Sequence, residues 1–294
     1  MAETLKGKII KGVGGKYSVR TDVGDLICHA KGILRHKSLK PLIGDDCVVE
    51  LLPDEPGCAN LIDILPRKNE LIRPAVANID GALIEFAVKD PAPSLNLLDR
   101  FLILMEKQNI PVIICVNKID IDRDNICGKI TDIYTKIGYK VFPVSTYTRE
   151  GIDALKAEIY GKTTVWAGPS GVGKSSLINM LSPEALMETG EISKKIGRGK
   201  NTTRHTQLLC CEGDTFVLDT PGFSSIELFD IEAEDLMNYF EEFSQFIPEC
   251  RFSGCIHIGE KQCAVKEHVG RDISQDRYDN YVLFYNELKS RRKY

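Results

Sequence analysis

GPSGVGKS, residues 168–175, indicates the fold of the central part of this 294-residue chain. It fits the phosphate-binding loop pattern of a glycine, four residues and then Gly-Lys-Ser. It lies between an apolar segment predicted as a strand (Thr163–Ala167) and a segment predicted as a helix (Lys174–Leu181). In such a loop the glycines let backbone N–H groups converge on phosphate oxygens, and the helix N-terminus adds positive potential. This context favours a triphosphate site over a glycine-rich turn that binds nothing.

The residues of the loop have distinct predicted roles. Lys174 is predicted to reach the β- and γ-phosphates and to be catalytic, and the Ser175 hydroxyl is predicted to bind Mg²⁺. The predicted nucleotide contacts of the loop and the first helical turn are Gly168, Pro169, Ser170, Gly171, Val172, Gly173, Lys174, Ser175 and Ser176.

Composition and charge narrow the class of protein. The 43% hydrophobic and 27% charged residues are typical of a soluble globular chain. No apolar run is long enough to span a membrane, and the ten cysteines accompany no export signal, so we expect a cytoplasmic protein without a disulfide framework or a membrane partner. Residues 1–40 carry nine Lys/Arg against three Asp/Glu, 194–204 carry five basic residues, and 225–249 carry eight acidic residues. The two basic blocks indicate a polyanionic partner. The alternative is that these charged blocks are merely solvent-exposed surface.

Residues 1–68 are predicted to form an OB-type β-barrel that binds RNA. The basic loop Lys31–Lys40 would project from it. Because only Tyr17 supplies an aromatic ring, we expect phosphate contacts rather than base stacking. A barrel that is only a structural docking module is the alternative. The five predicted strands are Lys6–Val13, Lys16–Thr21, Asp25–Ala30, Cys47–Leu52 and Ala59–Leu65.

Residues 69–228 alternate between apolar strands and helices, which predicts a mostly parallel sheet covered on both faces. Residues 229–294 are predicted to form a mainly helical, zinc-binding domain with an acidic helix at Ala233–Phe246 and a basic C-terminal helix. The predicted strands of the central domain are Ile79–Ala87, Pro111–Val116, Val141–Val144, Thr163–Ala167, Thr206–Glu212 and Thr215–Leu218. Its predicted helices are Asn96–Gln108, Asn125–Gly138, Ile152–Tyr160 and Lys174–Leu181.

The tetrapeptide Asn117–Asp120 follows a buried strand and resembles the guanine-recognition motif of GTPases. The Asp120 carboxylate can accept from both N1–H and the exocyclic amine of guanine, whereas adenine presents no such donor pair. Asn117 is predicted to tie the loop together and reach the base, and the Lys118 stem to cover the ring face. Ser145 and Thr146, after the next strand, match the short motif whose backbone N–H approaches guanine O6, although an ordinary turn explains that pair equally well.

A second set of residues is predicted to surround the Mg²⁺ ion and the γ-phosphate. Asp219-Thr220-Pro221-Gly222 follows a strand and fits the pattern in which Asp219 holds the Mg²⁺ shell and the Gly222 N–H contacts the phosphate. In the polar segment 199–205, Thr202 or Thr203 could complete these contacts, and Thr203 is the predicted Mg²⁺ ligand and a predicted catalytic residue.

The order of the motifs is permuted. In a Ras-like GTPase the phosphate loop precedes the base-recognition motif, whereas here Asn117 precedes Lys174 by 57 positions. Fold geometry tolerates a different cut of the chain if its ends can be rejoined. The sequence therefore predicts a circularly permuted GTPase domain whose Asp219 segment leads into the C-terminal domain.

Four residues near the C-terminus have the spacing of a zinc site. Three thiolates and one imidazole form a complete tetrahedral shell, which predicts one structural Zn²⁺. Chance clustering of buried cysteines is the alternative, and His268 could compete as the histidine ligand. The predicted ligands are Cys250, Cys255, His257 and Cys263.

These motifs together resemble the ribosome-small-subunit-dependent GTPase A family of circularly permuted GTPases, over essentially the whole chain. The resemblance implies GTP and GDP as ligands, Mg²⁺, binding of small-subunit rRNA, and hydrolysis that the small ribosomal subunit stimulates. It also implies a catalytic histidine before the paired threonines, a position that holds Asn201 here. Phe223 cannot orient water by hydrogen bonding, so Asn201, the nearby His205 or a ribosomal group is the candidate.

The sequence leaves two further classes of function open. One is an RNA-associated scaffold in which guanine nucleotide is a structural ligand or switch, because neither Asn201 nor Phe223 supplies a catalytic base. The other is a P-loop kinase, which would leave the Asn117–Asp120 motif unused. A GTP hydrolase in late maturation of the small ribosomal subunit, acting as a monomer, is the favoured hypothesis.

Overall fold

A computed structural model of the chain describes residues 3–31, 40–72, 74–182, 207–219, 227–228 and 230–291. The chain divides into two compact units. The first comprises Met1–Leu83, Glu150–Ala167 and Gly173–Pro221. The second comprises Ile84–Arg149, Gly168–Val172 and Gly222–Tyr294.

The first unit begins with a closed five-stranded barrel in the order β1-β2-β3-β5-β4. Neighbouring strands are antiparallel, except that β3 and β5 run parallel. Alternate residues point inward, and Ile9, Val19 and Leu61 are among the fully buried side chains of its core. The predicted barrel is confirmed, while its loop 32–39 lies outside the described residues. The strands are β1 (Thr4–Val13), β2 (Lys16–Thr21), β3 (Gly24–Ala30), β4 (Asp46–Leu51) and β5 (Cys58–Ile64).

The first unit also contains a two-stranded ribbon, β6 (Glu70–Leu71) and β7 (Val76–Ala77), that the sequence did not predict. The remaining strands form a six-stranded sheet. They are β8 (Gly81–Ala87), β9 (Val112–Asn117), β10 (Lys140–Pro143), β11 (Thr163–Ala167), β12 (Leu208–Cys210) and β13 (Phe216–Asp219).

This sheet has the order β10-β9-β8-β11-β13-β12. Strands β9 and β10 pair in parallel, as do β11 and β13, whereas β12 is antiparallel to β13. Every residue of β8, β9 and β11 is buried, as expected for strands covered on both faces. The predicted alternation of strands and helices is confirmed. The helices are α1 (Leu95–Lys107), α2 (Ile126–Lys136), α3 (Ile152–Ile159) and α4 (Lys174–Leu181).

The C-terminal part of the second unit contains α5 (Ala264–Glu267) and α6 (Gln275–Arg291). The predicted acidic helix at 233–246 is wrong, because short 3₁₀ turns replace it at Ala233–Tyr239, Glu241–Phe243 and Ile247–Glu249. The buried apolar side chains here lie three, four, three and three positions apart, a spacing that successive 3₁₀ turns share with an α-helix, so the sequence pattern does not distinguish the two. They are Ala233, Leu236, Phe240, Phe243 and Phe246.

A buried ion-pair network joins α6 to the rest of the second unit. The Arg277 guanidinium donates to both carboxylate oxygens of Glu242, at 2.7 and 2.9 Å, and to Asp99 of α1 at 2.7 Å. Asp99 also accepts from the Tyr134 hydroxyl and from Asn280, both at 2.7 Å. Arg277 is 1% exposed and Asp99 is fully buried, so these charges depend on each other for compensation.

Candidate nucleotide and zinc sites

The base-recognition motif is built around the side chain of Asn117, the last residue of β9. Asn117 is fully buried. Its Nδ2 donates to Glu85 Oε1 at 2.9 Å and to the Val172 carbonyl at 3.2 Å. Its Oδ1 accepts from the backbone N–H of Lys118 at 2.7 Å and of Thr146 at 3.2 Å. Asn117 therefore ties the loops together as predicted, and its contact with a base remains a prediction.

Ser145 connects the two predicted guanine motifs. Its hydroxyl donates to Asp120 Oδ1 at 2.5 Å and accepts from the backbone N–H groups of Tyr147 and Thr148. The Asp120 side chain is exposed, while Ser145 is fully buried beneath it. A positioned, exposed carboxylate is what recognition of the N1–H and amine edge of guanine requires.

The phosphate loop packs closely on β8. Gly168 has a φ of 151°, and an ideal Cβ there would lie 2.1 Å from the carbonyl oxygen of Glu85, so only glycine fits. Lys118 has a left-handed backbone with a φ of 65°. Its ammonium donates to the Gly171 carbonyl at 2.9 Å and also to the carbonyl of Asp90. The Lys118 side chain therefore joins the guanine motif to the phosphate loop.

The remaining predicted nucleotide ligands lie at ends of secondary structure elements. Helix α4 begins at Lys174 directly after the loop, and the side chains of Ser175 and Ser176 are exposed. Asp219 is the last residue of β13. Their roles toward phosphate and Mg²⁺ stay predictions. The predicted residues Asn201, Thr202, Thr203, His205 and Gly222, together with Phe223, lie outside the described residues.

Glu85 is the residue of this site that sequence reasoning missed. It is fully buried in the middle of β8, below the loop. Its carboxyl oxygen accepts the hydrogen bond from Asn117, and burial, with a smaller contribution from Glu85, holds the pKa of the Cys115 thiol well above its usual value. The available signal was one acidic residue within the otherwise apolar segment GALIEFA at 81–87.

The predicted zinc ligands come together in the second unit. The ligand atoms of Cys250, Cys255, His257 and Cys263 all lie within 4.8 Å of one another. Cys250 Sγ is 3.9 Å from Cys263 Sγ, and His257 Nδ1 is 3.6 and 3.4 Å from those two sulfurs. Tetrahedral Zn²⁺ requires edges of about 3.8 Å between sulfurs and about 3.6 Å between sulfur and nitrogen. The four side chains therefore fit a structural zinc ion.

The protonation chemistry of the cluster also suits a cation. Burial raises the pKa of the Cys255 thiol to about 12 and that of Cys263 above its usual value, because adjacent buried thiolates lack compensation. Burial lowers the pKa of His257, which leaves a neutral imidazole lone pair for a metal. His268, the alternative ligand, instead pairs with Asp272 at 2.6 Å and stacks on a phenylalanine ring.

Two tyrosines of α6 hold the backbone of the zinc loop. The hydroxyl groups of Tyr278 and Tyr281 donate to the carbonyls of His257 and Ile256, each at 2.7 Å. The Glu260 carboxylate accepts from two further N–H groups of the same loop. None of the ten cysteines forms a disulfide bond in the structure, and all ten lie among the described residues.

The guanine motif precedes the phosphate loop, and the zinc ligands follow both. This order and these sites define the chain as a circularly permuted P-loop GTPase. Two family profiles match it: RsgA GTPase over residues 64–229 and RsgA N-terminal domain over residues 6–58. The chain belongs to the RsgA GTPase family, which confirms the resemblance inferred from the motifs. Its activity class is GTP hydrolysis, with GTP, GDP and Mg²⁺ as ligands.

Individual relatives and solved structures agree with this assignment. "Small ribosomal subunit biogenesis GTPase RsgA" of Agathobacter rectalis is 50% identical, covering 99% of this chain and all of the relative. The protein of the same name from Alkaliphilus metalliredigens is 44% identical over 98% of this chain and 99% of its own length.

Two crystal structures have the same fold. YloQ, described as a circularly permuted GTPase, has a TM-score of 0.79 at 38% identity, covering 98% of this chain and 96% of its own. YjeQ from Thermotoga maritima has a TM-score of 0.80 at 35% identity, covering 98% and 99%. Among the residues that the structure describes, no helix is long and apolar enough to cross a membrane.

Proposed function

We propose that this chain is a GTP hydrolase that acts in late maturation of the small ribosomal subunit. It binds the rRNA of that subunit, and the subunit stimulates its hydrolysis of GTP. The observation that carries the nucleotide part is the Lys118 contact with Gly171, at 2.9 Å, which joins the guanine motif to the phosphate loop. The names of the relatives, which are small ribosomal subunit biogenesis GTPases, support the ribosomal part.

The proposed role of each residue follows from the chemistry of its side chain. Asp120 selects guanine through two donors of the base, and Lys174 neutralises charge on the β- and γ-phosphates. Ser175, Asp219 and Thr203 hold Mg²⁺. Asn201 or His205 orients the attacking water.

The proposed domains are an RNA-binding barrel at 1–68, the permuted GTPase at 69–228 and the zinc domain at 229–294. Residues 1–40 carry nine basic and three acidic residues, and this excess of positive charge supports phosphate contacts by the barrel. Action on the ribosome implies a cytoplasmic location. If each small subunit offers one binding surface, one copy of this chain is enough to occupy it, so the proposed state is a monomer.

Phosphate release from GTP and from ATP at equal concentration tests the nucleotide assignment. We expect GTP to be hydrolysed in multiple turnovers and ATP to be spared, because adenine lacks the donor pair that Asp120 accepts. Lys174→Ala is the matched control and should lose activity. A preference for ATP, or turnover that Lys174→Ala leaves intact, would overturn the assignment.

Phosphate transfer to an added acceptor instead of water would support a kinase. A nucleotide that binds tightly without turnover, even with ribosomal subunits present, would support the scaffold hypothesis.

A further inference from the structure

The unexplained feature of the nucleotide site is the carboxyl group of Glu85. It lies in β8, where every residue is buried and every other side chain is apolar or hydrogen. Burying a carboxyl group costs free energy unless hydrogen bonds compensate it. An aliphatic side chain would fit the same strand without this cost, so its presence points to a role outside folding.

Glu85 contacts both parts of the nucleotide site. Its Oε1 accepts from Asn117 Nδ2 at 2.9 Å. Its carbonyl oxygen is the atom that a Cβ at Gly168 would meet at 2.1 Å. The guanine motif and the first glycine of the phosphate loop therefore rest on the same residue.

The hydrogen bonds of Asn117 show what Glu85 controls. Both Nδ2 hydrogens have acceptors, Glu85 and the Val172 carbonyl, and Oδ1 has two backbone donors, Lys118 and Thr146. Reversing the amide would place oxygen against two acceptors and nitrogen against two donors. Removing the Glu85 oxygen leaves one Nδ2 hydrogen without this acceptor and weakens the preference for the observed orientation.

We propose that Glu85 is a positioning residue for nucleotide binding. Its carboxyl group fixes the orientation of the Asn117 amide, and through that amide it fixes the position of the guanine motif relative to the phosphate loop. This role rests on the proposed GTP-binding function. Glu85 itself contacts neither base nor phosphate in the proposal, and its effect on affinity passes through Asn117.

Replacing Glu85 separates this role from a structural one. Glu85→Val removes the acceptor but suits a buried strand, so the relief of burying a carboxyl group should offset much of the cost of the lost Asn117 hydrogen bond, and stability in urea without nucleotide should change little. The affinity for GDP should fall by about tenfold, the worth of one hydrogen bond to a carboxyl group. Glu85→Gln keeps an acceptor oxygen and should rescue affinity to within about threefold of wild type.

The experiment is a titration of the full-length variants with a fluorescent GDP analogue, alongside urea unfolding of the nucleotide-free proteins. Ile84→Val, in the same strand, is the matched control and should bind like wild type. In an Asn117→Ala background, Glu85→Val should have no further effect, because the residue through which it acts is gone. If Glu85→Val fails to fold, Glu85→Met replaces it with a more adaptable side chain.

Each outcome decides the proposal. Wild-type affinity in a folded Glu85→Val or Glu85→Met variant would refute the positioning role alone, provided that the wild-type protein binds GDP. Equal loss of affinity in Glu85→Gln, or a full Glu85→Val effect in the Asn117→Ala background, would also refute it. Absence of guanine-nucleotide binding in the wild type would refute the proposed function and this role with it.

Discussion

Replacing Arg277 by methionine should strongly destabilise the second unit. The variant keeps the side-chain length but removes the charge that compensates two buried carboxylates. Glu242 would lose both of its hydrogen bonds to Arg277, at 2.7 and 2.9 Å. Asp99 would lose one of three, because Tyr134 and Asn280 still donate to it.

Breaking a buried ion pair by removing one partner costs about 3–5 kcal/mol, since the remaining charge is uncompensated. Most of this cost belongs to Glu242, which keeps neither bond. The double variant Arg277→Met/Glu242→Leu should therefore recover most of the lost stability, because Asp99 retains two donors. The single variant Glu242→Leu, which leaves Arg277 paired with Asp99, should cost less than Arg277→Met.

The effect should depend on pH. Burial already holds the pKa of Asp99 above its ordinary 3.8, with Arg277 opposing that shift, so removal of Arg277 raises it further. A carboxyl group with a raised folded-state pKa contributes stability that is complete below its unfolded-state pKa and is lost as pH rises through the folded-state value. The share of the Arg277→Met destabilisation that comes from Asp99 should thus grow from about pH 4 toward pH 8.

Urea unfolding followed by far-UV circular dichroism at these two pH values measures the free-energy differences. A loss below about 1 kcal/mol at pH 8 would show that the network does not compensate buried charge, contrary to the contacts described. A double variant no more stable than Arg277→Met would contradict the assignment of the cost to Glu242.

Three further perturbations test the sites. Gly168→Ala should lower GDP affinity by at least about tenfold in a fluorescence titration, since the new Cβ would meet the Glu85 carbonyl at 2.1 Å, and wild-type affinity would refute the packing argument. Cys255→Ser should lose the bound zinc measured by elemental analysis and lower the melting temperature, whereas Cys58→Ser, outside the cluster, should keep one ion per chain. Asp120→Asn should relax the preference for GTP over ATP in a competition assay, and unchanged selectivity would remove Asp120 from base recognition.

The fold was largely predictable because its signals are local. The barrel strands and the alternating elements of the sheet follow from hydrophobic periodicity and turn residues, and Lys16–Thr21 and Lys174–Leu181 agree at both ends. The prediction for 233–246 was wrong because its buried apolar residues lie three or four positions apart, a spacing that an α-helix and successive 3₁₀ turns share.

The candidate sites were predictable where a motif has fixed spacing. The four zinc ligands fall within 14 residues, and Asn117–Asp120 follows a strand directly. Glu85 and Arg277 carried no such signal, because their partners are distant in sequence: Asn117 lies 32 positions from Glu85, and Asp99 lies 178 from Arg277. Long-range polar pairs depend on topology that one sequence does not encode locally.

The proposed function requires that ribosomal small subunits stimulate GTP hydrolysis by this chain. The direct measurement is steady-state phosphate release from GTP with purified small subunits, with large subunits and with neither, using Lys174→Ala as the control. We expect turnover to rise by orders of magnitude with small subunits only, and to stay at background in Lys174→Ala. Equal turnover with and without small subunits would refute the ribosomal part of the proposed function, even if the protein binds and hydrolyses GTP.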